Sequence, residues 1–130
     1  MKVAIFFIVF LVALPSIGQE VVLTGTPSMS IEIDEFGERR AVSDRSEVEL
    51  KITKTGDSYF WASRGNVQLA LITNGIYETY VAVDGSGYIR TINETARARF
   101  LEQIPNGVVG RYTYFEHIST GFSTKTVYGR

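Results

Sequence analysis

The sequence predicts an all-β domain: a mainly antiparallel meander folded as a small barrel or two-layer sandwich, with one short helix near residues 94–103. Three observations predict it. Short segments alternate apolar and polar residues with a period of two, turn-forming residues separate consecutive apolar runs, and a helical period occurs at a single place. Closely spaced strands without intervening helices exclude a parallel α/β sheet.

The chain opens with Lys2, an unbroken apolar run from Val3 to Leu14, the helix breaker Pro15, and small residues at Ser16 and Gly18. This layout is that of a secretory signal peptide over residues 1–18, with cleavage expected between Gly18 and Gln19. Twelve apolar residues make about 18 Å of helix against a hydrocarbon core of about 30 Å, so no transmembrane anchor is expected after cleavage. Residues 19–130 then form a single β-rich domain, long enough to bury about 65% of its unfolded surface without staples. Cysteine is absent, so the domain holds together without a disulfide. For an exported protein this favours a bacterial periplasm or the extracellular space.

Along the mature chain, Gly25, Pro27, Ser28 and Ser30 lead into one short strand in which Ile31 and Ile33 alternate with Glu32 and Asp34. Gly37 turns the chain, and residues 39–46 read as a loop or a poorly ordered edge. Residues 47–53 form a half-buried strand, with Val48, Leu50 and Ile52 on one face and Glu47, Glu49 and Lys51 on the other. Thr55-Gly56-Asp57 turns it into a ring-rich strand at 58–63 carrying Tyr59, Phe60 and Trp61. Residues 67–73 and 76–83 flank Asn74-Gly75, the dipeptide that favours a type I′ hairpin turn because both residues tolerate positive φ. Asp84 to Gly87 bends the chain into a strand at 88–92. Asn93 then caps a helix in which Ala96, Phe100, Leu101 and Ile104 share a side while Arg97 and Arg99 face away from it, until Pro105-Asn106-Gly107 stops it. A last hairpin joins 108–119 to 122–128 through Thr120-Gly121, for seven or eight strands in all.

Charge and motif content narrow the function classes. The mature chain carries 12 basic and 14 acidic residues, net −2, which argues against a nucleic-acid partner. Residues 20–57 are net −4 and residues 58–130 net +2, read as two solvated faces. A single histidine, His117, and no cysteine leave no ligand set for structural zinc. Glu32, Asp34, Glu35 and Glu38 crowd together, but their spacing does not match a calcium loop, and they read as a wet strand face running into a turn. Asp84-Gly85-Ser86-Gly87 lies between strands and opens no helix, so it is a bend and not a phosphate cradle. No Gly-x-Ser-x-Gly elbow occurs. No cofactor is expected.

What stands out is the load of rings on predicted strands. Tyr59 and Trp61 share one face of their strand and Phe60 takes the other, so one side is core and the other is either covered by the helix or open as an aromatic platform. The reading that follows is a noncatalytic exported domain of the bacterial envelope. It binds a small ligand, a glycan or an envelope protein through Tyr59, Trp61, Arg64, Tyr77 and Tyr80. Two alternatives stay open: a small hydrolase using carboxylates such as Asp57 and Glu116, and a structural subunit that pairs through its edge strands.

Overall fold

The computed structural model describes residues 18–43, 48–103, 112–119 and 121–130, so the leader and the expected helix stop at 105–107 lie outside the described residues. The elements are β1 (Gln19–Gly25), β2 (Pro27–Ile33), β3 (Arg39–Ser43), β4 (Leu50–Thr55), β5 (Ser58–Trp61), β6 (Val67–Asn74), β7 (Tyr77–Ala82), β8 (Gly87–Ile92), α1 (Glu94–Gln103), β9 (Tyr114–Ser119) and β10 (Thr124–Gly129). The strands form one antiparallel sheet in the order β1-β4-β5-β6-β7-β8-β9-β10-β2-β3, so the described residues are all-β with one short helix among them.

A single run of chain draws this sheet into a curl. β1 and β2 follow one another across Thr26, yet β1 pairs with β4 and β2 pairs with β10. The run therefore ties both ends of the β4–β10 meander together. At the joint, the Thr26 amide donates to the Arg130 carbonyl at 2.8 Å and the Arg130 amide donates back at 3.0 Å. Side chains also cross the interior: Trp61 on β5 donates to Glu116 on β9 at 2.7 Å, although β6, β7 and β8 separate those strands in the sheet. The inner face holds the core of Leu23, Leu50, Ile52, Trp61, Leu69, Tyr80, Ala82, Ile89 and Tyr114.

Backbone requirements set several turns. In the β6–β7 hairpin Asn74 pairs with Tyr77, so the two linking residues are Gly75 and Ile76, and Gly75 has φ +64°. Positive φ is confined to the first linking residue, which is the type II′ requirement, so the expected type I′ turn on Asn74-Gly75 is replaced by a type II′ turn one position later. The β4–β5 hairpin follows the same plan, with Gly56 at φ +59° between Thr55 and Ser58.

Three elements differ from expectation. The short strand at 31–34 is the second half of the long run through Thr26, because Val21, Leu23 and the residues around them find partners on β4 that lie far away in sequence. Residues 39–43 form a strand against β2 instead of a loop, with Ile33 opposite Arg39 and Met29 opposite Ser43. The turn between them uses acid chemistry locally: Asp34 Oδ1 accepts from the amides of Phe36 and Glu38, both at 2.9 Å. Helix α1 begins as expected, with Asn93 Oδ1 accepting from the Ala96 amide at 2.9 Å. Arg97, however, turns toward the sheet: its Nη2 donates to the Ile92 carbonyl at 2.8 Å and to Thr91 Oγ1 at 3.2 Å, pinning the helix to the end of β8. No helix among the described residues is long and apolar enough to cross a membrane.

The curl also demands a residue without a side chain where β1 meets β9. A Cβ on Gly25 would collide with the Tyr114 ring, which itself is buried. Gly25→Ala is therefore expected to lower unfolding free energy by about 1–3 kcal/mol, the usual penalty for overpacking a core. Urea denaturation checks this, and an unchanged midpoint would mean that the ring and β1 do not meet so closely.

Candidate functional site

The five residues singled out from the sequence fall into three separate places. The first is an interior cluster in which Trp61 and Glu116 are sealed and Arg64 is half-buried. Trp61 ends β5 on the inner face, and residues 62–66 fold back beneath it, with the amides of Arg64 and Asn66 both donating to the Trp61 carbonyl at 3.0 Å. Gly65 at φ +73° and Asn66 at φ +57° make this reversal possible. It delivers Arg64 to Glu116, whose Oε2 accepts from Arg64 Nε at 3.2 Å and from Trp61 Nε1 at 2.7 Å, while Oε1 accepts from Arg64 Nη2 at 3.4 Å. The Glu116 side chain has no exposed surface and Trp61 is 1% exposed. Trp61 is thus a sealed core residue and does not lie on an open platform.

The second place is the inner end of the curl under α1. The Tyr59 and Tyr80 rings meet edge to face at 5.5 Å, and Lys54 Nζ stands 5.4 Å from the Tyr59 ring centre. Tyr80 donates a long hydrogen bond to Glu78 Oε2 at 3.4 Å. With Glu20, Glu94 and Arg97 these side chains line a small cavity of about 230 Å³. Burial, and then the neighbouring Glu78 carboxylate, push the ionisation of Tyr80 well above the ordinary tyrosine range. Tyr114 is shifted in the same direction by burial and by Glu116.

The third place is the outer face, and most of it was not anticipated. On β8, β9 and β10 the residues that point away from the core carry a ladder of rings. His117 and Tyr88 lie 5.3 Å apart, Tyr88 and Phe115 5.9 Å, Phe115 and Tyr128 6.0 Å, and Tyr128 and Tyr112 5.3 Å. Register explains the continuity: Arg90 stands opposite Phe115, Phe115 opposite Tyr128, and Tyr88 opposite His117. Cross-strand neighbours on one face are the pairs whose side chains touch. Tyr77, 51% exposed and opposite Ile92, extends the face onto β7. Here the rings and Arg90 line a cavity of about 340 Å³. A second cavity of about 560 Å³ shares Tyr77, Ile92 and Tyr112 with it and continues past Asn93 and Ala96 to Arg99. The signal available in the sequence was the alternation in 112–117. There Tyr112, Phe115 and His117 were all visible, but nothing local shows which parity faces out.

The alternative site residues are not brought together. Glu116 is sealed with its oxygens occupied, whereas Asp57 is exposed in the β4–β5 turn, so one substrate cannot reach both. His117 and Glu116 point to opposite faces, and His117 Nδ1 lies 3.1 Å from Thr126 Oγ1. No family model matches the chain, and neither the curated proteins nor the solved structures contain a match to it.

Two stability predictions follow from the interior. Glu116→Ala strands the Arg64 guanidinium and the Trp61 N–H, so it is expected to cost about 3–5 kcal/mol, whereas Glu116→Gln, which keeps the shape, costs about 1–3 kcal/mol. Equal midpoints for the two variants in guanidinium unfolding would count against a charged cluster. Tyr80 and Tyr114 have raised folded-state pKa values, so their stabilising contribution is complete below the unfolded value of about 10 and is lost as pH rises above it. Tyr114→Phe removes a buried hydroxyl that has no hydrogen-bond partner among the described residues. It is expected to be neutral or stabilising at pH 7 and to shift alkaline unfolding upward, as read by circular dichroism against pH.

Proposed function

We propose that this protein is a noncatalytic exported domain of the bacterial envelope that binds a ligand or partner through the outer ring ladder of β8–β10. The observation that carries the reading is the continuous row of half-buried rings on the outer face of the sheet. Large apolar rings on the outer face cost hydration unless something covers them, and Tyr and Trp faces suit ligands that are apolar on one side and polar at the rim. Three neighbouring strands hold the rings in fixed register, so little ordering entropy is lost on binding. Export rests on the layout of residues 1–18 and on a disulfide-free mature chain. The interior offers less: its best-placed carboxylate, Glu116, is neutralised by Arg64 and closed to solvent.

Amide chemical-shift mapping of the purified chain against panels of glycans, peptides and fatty acids tests this reading. At least one ligand class should shift residues of β8, β9 and β10, with Tyr128→Ala weakening that binding tenfold or more. Shifts confined to other surfaces, or none, would overturn it.

A further inference from the structure

Resting on that reading, we propose that the ring-lined groove takes an acidic oligosaccharide, with sugar faces stacked on Tyr77, Tyr112, Phe115 and Tyr128 and carboxylate or sulfate groups held by Arg90 and Arg99. The two cavities share Tyr77, Ile92 and Tyr112, so they run one into the other along the ends of β7, β8 and β9 and the start of α1. Together they suit an extended chain better than a single compact molecule.

Charge decides the sign of the ligand. Among the described residues no Asp or Glu lines either cavity, although those residues carry a net acidic excess elsewhere, and the charged ones in the lining are two arginines. Both arginines are exposed. Arg90 lines the groove and its Nε donates to Thr79 Oγ1 at 3.3 Å. Neither arginine forms an ion pair among the described residues. A guanidinium matches a carboxylate or sulfate with two parallel hydrogen bonds, a geometry that a lysine does not reproduce.

The rest of the lining argues for a sugar over other anions. Tyrosine rings present flat apolar faces edged by hydroxyls, and a pyranose presents an apolar C–H face edged by hydroxyls in the same way. A fatty acid would need an apolar tunnel. The cavity at the inner end of the curl is no such tunnel, since Glu20, Lys54, Glu78, Glu94 and Arg97 line it.

Titration calorimetry with a tetragalacturonate and with the corresponding neutral tetragalactose tests the inference on the full purified chain. The acidic sugar is expected to bind at least tenfold more tightly than the neutral one. Arg90→Gln combined with Arg99→Gln should erase that preference, and raising the salt concentration should weaken the acidic sugar alone. If both sugars bind alike and the arginine variants change nothing while Tyr128→Ala abolishes binding, the acidic class is wrong and the binding face stands. If only peptides or lipids shift the β8–β10 amides, the saccharide inference is likewise overturned while the face stands. If nothing binds there, both fall together.

Discussion

A carboxylate with no exposed surface sets the terms for the rest of this fold. Glu116 cannot remain charged inside the curl without partners, because a buried unpaired charge costs several kcal/mol. Its partners arrive from the far side of the sheet. Trp61 supplies a 2.7 Å hydrogen bond from the end of β5, and the 62–66 reversal supplies Arg64. The network therefore only exists when β5 and β9 face one another across the interior. It specifies the curl as well as contributing to its stability. Tyr80 and Tyr114, tyrosines buried in the same core, follow the same logic, since burial favours their neutral forms.

Much of the meander was legible because its information is local. Gly56, Gly75 and Asp84-Gly85 mark turns through φ requirements that neighbours cannot override, and the strands between them are held by adjacent partners. Asn93 announces α1 for the same reason. What sequence reasoning missed is long-range. Residues 19–33 alternate poorly because β1 and β2 pair with different strands, with a register shift between Val21 and Leu23. Arg97 looked like a solvated helix residue until the end of β8 offered it the Ile92 carbonyl.

The candidate site was half visible for a related reason. A period of two sorts residues onto two faces but does not name the inner one. Tyr59, Trp61 and Tyr80 share the inner face, where rings fill the core, so a platform argued from ring density alone chose the wrong side for Trp61. Tyr77 faces outward and lines the same cavity as the end of the ladder. On β9 the two parities carry Tyr114 and Glu116 inward and Phe115 and His117 outward, and only the closure of the sheet distinguishes them.

The junction of Thr26 with Arg130 has a temporal meaning. β2 finds its partner in β10, the last strand, so the ribosome must deliver β10 before the curl can be tied at Thr26 and Arg130. Contacts between such distant segments form slowly because loop closure comes before any reward. Until then β2 lacks its β10 neighbour and the curl stays untied. The hairpins of the meander, paired between neighbours in sequence, can therefore form ahead of the bonds between Thr26 and Arg130, which come last.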